Sequence, residues 1–233
     1  MLHATAYGAD SDAPPLVIAH GLYGSGRNWG VIAKRLSDRG KVVTPDMRNH
    51  GQSPRSDDHS YPALARDLAE LIETLDGPAD LCGHSMGGKA AMALALTRPE
   101  LIRRLVVADI APTAYSHTQA GFIEAMRRVD LSRVTRRSEA EEQLAAAGVE
   151  PALQSFFTQS LDIEGKRWRL NLDALEAEMP RIIGWPDDLT GPFDGPALFL
   201  SGGASDYVRP EHRDHIKTLF PKARFAKLPG AGH

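Results

Sequence analysis

A serine set between small residues at a strand-to-helix junction limits the possible folds of this chain more than any other feature. The stretch Leu81-Cys82-Gly83-His84-Ser85-Met86-Gly87-Gly88 follows an apolar run, Ala79 to Cys82, and opens an alanine-rich helix over Lys89 to Leu96. In a G-x-S-x-G turn the serine backbone is strained and strand and helix approach closely, so the residues two before and two after must be small; Gly83 and Gly87 meet that need. A plain glycine-rich turn would match so short a pattern, but it would seldom lie between a buried strand and a helix. Ser85 is therefore the candidate nucleophile, projecting from the top of a sheet. The Met86 N–H, at the positive end of the helix, is the natural first donor to an oxyanion.

The rest of the chain supplies that sheet. Leu16 to Ala19 is a short apolar run that reads as a central parallel strand, and it delivers His20-Gly21-Leu22-Tyr23-Gly24-Ser25-Gly26 to the sheet's C-terminal edge. Its glycines let the loop bring the Leu22 N–H, the second expected oxyanion donor, close to Ser85. Asn28 is expected to cap a helix through about Arg39, with Trp29, Ile32, Ala33 and Leu36 as core positions. Val42 to Thr44 is the next strand. Its loop, Asp46 to Pro54, carries ionic residues that brace the strand-to-helix crossing, with His50 and the later His59 read as structural or exposed. Leu64, Leu68, Leu71, Ile72 and Leu75 recur at three and four, predicting an amphipathic helix from Tyr61 to Leu75 that Asp76-Gly77-Pro78 ends. Leu105 to Ala108 forms another buried strand and ends in Asp109-Ile110-Ala111-Pro112. This alternation predicts an α/β fold, a mostly parallel sheet flanked by helices, with ligands beyond the carboxyl ends of the strands.

Over residues 113–183 the alternation stops. Helices are expected over Ala120 to Val129, Glu139 to Ala147, Pro151 to Leu161 and Leu172 to Met179, forming a helical cap, or lid, over the active edge, with residues 1–112 and 184–233 as the core. Phe122, Met126, Phe156, Phe157, Trp168 and Trp185 are pocket-wall candidates, and none is assigned to the site. The sheet resumes at Pro196 to Leu200, followed by Ser201 to Val208, a helix from Pro210 to Leu219, a strand from Arg224 to Leu228, and Pro229-Gly230-Ala231-Gly232-His233.

The length of 233 residues suits one α/β domain with an insertion. With 27 Lys plus Arg against 30 Asp plus Glu, the charge offers no footprint for nucleic acid or an anionic membrane. The lone cysteine, Cys82, is expected to be a small core residue. No signal segment and no membrane span are expected, and the expected location is cytoplasmic.

A serine hydroxyl needs a histidine to take its proton and a carboxylate to orient that imidazole. Of the nine histidines, His20 and His84 lie in the motif loops and read as supports. His212 and His215 are spaced like a metal pair but have no accompanying ligand cluster, so no metal is expected. His233, on the loop after the last strand, is the expected base, in the chain order Ser, Asp, His.

The sequence resembles the α/β-hydrolase superfamily through His20-Gly21, Asp46-x-Arg48-x-His50-Gly51-x-Ser53, Gly83-His84-Ser85-Met86-Gly87-Gly88 and Gly230-Ala231-Gly232-His233. Its His20 to Ser25, Asp109 to Pro112 and Gly202 to Val208 segments are similar to those of small bacterial esterases of the YbfF type. That resemblance implies cofactor-free hydrolysis of carboxylic esters or acyl thioesters. Most of the superfamily place the acid after the strand ending at Leu200, where this chain has Ser205 with Asp206 one residue later. The YbfF-type branch implies Asp109 instead; Asp109 is the assignment and Asp206 the alternative. The resemblance also implies a further helix behind the histidine loop, without which His233 would fray and catalysis weaken.

The expected activity is a serine hydrolase working through an acyl-enzyme: Ser85, Asp109 and His233 catalytic, Leu22 and Met86 the oxyanion hole, a small-molecule acyl ester or thioester the substrate. The alternatives are a carbon–carbon hydrolase or lyase of the same fold, for which no arginine pair stands ready, and a non-catalytic binder. Dehalogenase and epoxide hydrolase chemistry would need a carboxylate where Ser85 stands.

Overall fold

Short apolar runs alternating with amphipathic helices build the frame that carries the serine turn. A computed structural model describes residues 1–75 and 77–233; Asp76, part of the expected helix stop, lies outside the described residues. In order, the chain forms β1 (Ala4–Tyr7), β2 (Leu16–Ala19), α1 (Gly30–Leu36), β3 (Val42–Pro45), α2 (Tyr61–Glu73), β4 (Ala79–His84), α3 (Met86–Thr97) and β5 (Ile102–Ala108). The segment after β5 holds α4 (Ala120–Arg127), α5 (Arg137–Ala146), α6 (Pro151–Thr158), the short strands β6 (Leu161–Asp162) and β7 (Arg167–Trp168), α7 (Leu172–Ala177) and α8 (Met179–Ile183). The chain then returns to the sheet with β8 (Ala197–Gly202), α9 (His212–Leu219) and β9 (Ala223–Leu228).

The seven-stranded sheet has the order β1-β3-β2-β4-β5-β8-β9. All its pairings are parallel except that of β1 with β3. From β2 the chain steps to β3 on one side and then returns to β4 on the other, which creates the topological switch point where such sheets open a crevice. The crevice lies beyond the ends of β2 and β4, between the loop bearing Leu22 and the turn bearing Ser85.

The helix α3 is buried from Met86 to Ala95, and its alanines let it lie close against β4 and β5. The helix α2 presents Leu64, Leu68 and Ile72 to the core, each no more than 1% exposed. Complete burial of such a side chain contributes about 1.5–3 kcal/mol, so this stripe anchors the crossover leading to the serine turn.

Several local expectations are corrected. Ser25, not Asn28, starts the turn before α1, and Asn28 reaches back to accept the Ser25 N–H at 2.7 Å. Of the expected α1 core positions only Ala33 is buried, while Ile32 and Leu36 are 43% and 40% exposed. Ala33 packs with Ile18 and Val42, Trp29 lies half-buried against them, and Ile32 borders the cavity beside Ser85. The expected 172–179 helix divides because Pro180 cannot extend α7 but suits the first turn of α8. The edge strand β1 and the β6–β7 pair are additional: they are short, lack apolar runs, and are defined by backbone pairing.

Candidate active site

Ser85 stands between β4 and α3 with φ 52° and ψ −120°, a conformation that costs about 1–3 kcal/mol and persists only where the surroundings enforce it. The flanking glycines show what enforces it. A Cβ on Gly83 would lie 2.2 Å from the Gly87 carbonyl oxygen, and one on Gly87 would lie 2.5 Å from those of Ala19 and His20. The turn is therefore pressed against its own helix on one side and the end of β2 on the other.

The loop after β2 crosses beside it, with the Cβ position of Gly21 3.2 Å from the Ser85 Cβ. Leu22 and Met86 border the same cavity as Ser85. Met86 opens α3, so its N–H has no acceptor within the helix. Beside Leu22, Tyr23 adopts φ 64° and donates its N–H to His50 Nε2 at 3.1 Å. His20 Nε2 likewise accepts the Met47 N–H at 2.9 Å. His59 Nε2 lies 3.2 Å from Met86 Sδ, and its Nδ1 faces the Asn49 amide at 3.1 Å. Burial pushes these imidazoles down to about 4 for His20, 3 for His50 and 2 for His59, so all are neutral at pH 7 and free to accept hydrogen bonds. His50 and His59 are buried, each 1% exposed, so the structural reading of them holds and the exposed one does not. In the same loop Asp46 accepts the Gly26 and Gln52 N–H groups, and Arg48 pairs with Asp67, the bracing expected of these ionic residues.

On the other side of Ser85, His233 Nε2 lies 2.9 Å from Ser85 Oγ and Nδ1 lies 2.7 Å from Asp109 Oδ2. Asp109, at φ 52°, is 5% exposed; it accepts the Gly202 N–H at 2.8 Å and the Ser205 hydroxyl at 2.5 Å. Burial works against its charge, yet the bonds from His233, Ser205 and Gly202 outweigh burial and hold the carboxyl below the usual carboxylate range. Asp206 is exposed, and the carboxylate that meets the imidazole is that of Asp109. Ser205, in the place where an acid was sought, instead serves as a donor to Asp109. His84 supports this side too, donating Nε2–H to the His233 carbonyl at 2.9 Å, and burial with His233 nearby lowers it to about 4.

Ser85, His84 and His233 border a cavity of about 470 Å³ with largely apolar walls. Phe122, Phe156 and Phe157 line it. Met126 and Trp168 are instead packed within the helical segment, where the indole N–H donates to the Met126 carbonyl at 2.9 Å, and Trp185 lies beside Tyr61. Lys89, one turn after Ser85, is 1% exposed and donates to the Ile183 and Gly184 carbonyls. Burial lowers its amine to about 7. Cys82 is half-buried in β4, and burial pushes its thiol up to about 12, so it stays protonated. Among the described residues no group of three or more His, Cys, Asp or Glu is arranged to hold a metal ion, and no helix is long and apolar enough to cross a membrane.

Sequence reasoning thus named the groups that converge on Ser85 but missed Ser205 on Asp109, the Tyr207 ring stacked on His233, and Gln119 bonded to the Tyr207 hydroxyl. Ser205 alone had a usable signal, as a hydroxyl standing where a carboxylate was sought.

Residues 14–233 match the sequence model of a family described as alpha/beta hydrolase fold. The chain is 43% identical over 236 residues to the sn-1-specific diacylglycerol lipase ABHD11 of Mus musculus, covering 96% of this chain and 76% of the mouse protein. It is 39% identical over 224 residues to Esterase YbfF of Escherichia coli, covering 94% of this chain and 85% of that protein. The solved structure of a marine microorganism esterase superposes with a TM-score of 0.93 at 38% identity, covering 100% of this chain and 92% of the other.

Proposed function

Because the chain belongs to the α/β-hydrolase fold family and is an ester hydrolase of that fold, we propose that it cleaves carboxylic esters or acyl thioesters through an acyl-enzyme on Ser85. The observation that carries this reading is the unbroken chain from Ser85 Oγ to His233 Nε2 at 2.9 Å and from His233 Nδ1 to Asp109 Oδ2 at 2.7 Å, ending on a carboxyl held below its usual range.

In the first step His233 takes the Ser85 proton as Oγ attacks the substrate carbonyl carbon. Asp109 holds the imidazole in the tautomer that leaves Nε2 free to accept that proton and stabilises the imidazolium. The tetrahedral oxyanion is received by the N–H groups of Leu22 and Met86, each donor of this kind being worth about 3–4 kcal/mol of barrier. The protonated imidazole then gives its proton to the departing alkoxide or thiolate. Water repeats the sequence on the acyl-enzyme and releases the acid.

Residues 113–183 serve as a cap over a core of residues 1–112 and 184–233, and their Phe122, Phe156 and Phe157 give an acyl chain an apolar wall. Likeness to a diacylglycerol lipase makes lipid esters the first class to assay. The test is hydrolysis of p-nitrophenyl esters of graded chain length, a diacylglycerol and an acyl-coenzyme A thioester. Turnover that Ser85→Ala lowers about 10⁶-fold supports the reading; comparable turnover by Ser85→Ala contradicts it.

A further inference from the structure

We infer that Tyr207 is a positioning residue for the His233 imidazole, holding it by ring stacking and tying it through its hydroxyl to the segment that crosses the cavity. This rests on the proposed role of His233 as base. The two rings stack with centroids 3.8 Å apart and planes 17° from parallel.

The phenol is fixed along its whole length. Its backbone carbonyl accepts the Tyr115 hydroxyl at 2.8 Å, and that hydroxyl in turn accepts the Ala111 N–H at 2.9 Å. Its N–H donates at 3.3 Å to Ser205 Oγ, the group that also donates to Asp109. At the far end, Tyr207 Oη shares a hydrogen bond with His117 Nε2 at 2.8 Å and accepts from Gln119 Nε2 at 3.2 Å. Burial raises the phenol above its ordinary range, so the hydroxyl keeps the proton these bonds require.

Gln119 connects this arrangement to the opposite wall, because its carbonyl accepts the Tyr23 hydroxyl at 2.9 Å. Tyr23, Gln119, Tyr207 and His233 all border the cavity. A continuous tie therefore runs from the neighbour of Leu22, across the cavity, to the base.

The need for such a holder follows from exposure. The His233 side chain is 31% exposed yet must keep Nε2 on Ser85 and Nδ1 on Asp109 together. A displacement of about 1 Å in such a group costs on the order of 100-fold in rate. Stacking restrains the tilt of the ring, and the tethered hydroxyl restrains the stack.

The experiment compares kcat, KM and the rate of capture by a fluorophosphonate probe for wild type, Tyr207→Phe, Tyr207→Ala, Gln119→Ala and His233→Ala, with thermal midpoints measured alongside. Tyr207→Ala is expected to lose roughly 30–100-fold in kcat and in capture rate with KM nearly unchanged. Tyr207→Phe, which keeps the stack, recovers all but about threefold, the loss of a hydrogen bond. Gln119→Ala, which leaves the His117 bond in place, loses no more than Tyr207→Phe, and adding it to Tyr207→Phe lowers the rate no further. If Tyr207→Ala keeps kcat and capture while His233→Ala loses both, or loses only thermal stability, the inference is overturned and the base assignment stands. Losses that multiply in the double variant overturn the tether, a result that does not depend on Tyr207→Ala folding. Full capture by His233→Ala overturns the base assignment itself.

Discussion

The turn that carries Ser85 and the loops that carry Asp109 and His233 meet through bonds from Ser85 and His84 to His233, yet they are held in different ways. The serine turn is fixed by backbone contact: Gly83 and Gly87 leave no room for a Cβ, and α3 behind them is buried along nearly its whole length. The acid and base are fixed chiefly by bonds that reach between loops, from the Ser205 hydroxyl and the Gly202 N–H to Asp109, and by the Tyr207 ring stacked on His233. One half is rigid because it is packed and the other because it is wired. Packing resists any added atom, whereas wiring fails one bond at a time.

Substitutions in the two halves should therefore fail differently. The largest expected effect is in the wired half: Asp109→Asn should lower kcat about 10⁴-fold through the wrong imidazole tautomer, with a loss of stability in urea smaller than that of a packed-half variant. In the packed half, Gly87→Ala should cost roughly 3 kcal/mol of stability, because the added methyl meets backbone carbonyls; urea unfolding measures this. An equal loss of stability from both variants would erase the distinction.

Acid sharpens the comparison further. The histidines beneath the packed half are lowered from 6.5 to about 4, 3 and 2, so they remain neutral in the fold while the unfolded chain protonates below pH 6.5. Their contribution is fully present above pH 6.5 and is lost as the pH falls toward those lowered values, at up to about 1.4 kcal/mol per pH unit for each histidine. Unfolding free energies at pH 7, 6 and 5 should decline accordingly; a flat profile would contradict neutral burial. The smallest effect belongs to Asp206→Asn, since the imidazole bonds Asp109: its kcat should stay within about twofold of wild type.

The same contrast explains how much the sequence revealed. Ser85, Leu22 and Met86 could be named because glycine spacing around a strand-to-helix turn is a local steric code. The alternating strands and the α2 stripe were legible for a similar reason, since burial leaves a periodic pattern. Asp109 could be preferred only with the help of family resemblance, because its bonds to Gly202, Ser205 and His233 join loops far apart in the chain. Tyr207 and Gln119 left no signal: an aromatic stack and a cross-cavity tie depend on where loops meet, which periodicity does not record. The α1 core positions misled because apolar spacing does not distinguish a core face, where Ala33 packs, from a cavity wall, where Ile32 stands.

The central claim is that Ser85 is a nucleophile activated by His233. Its most direct measurement is the mass of the intact protein and its peptides after treatment with a fluorophosphonate. A single adduct on Ser85, absent in Ser85→Ala and slowed by orders of magnitude in His233→Ala, is the predicted result. A folded wild-type protein that takes up no label, or labels equally well without His233, would contradict it.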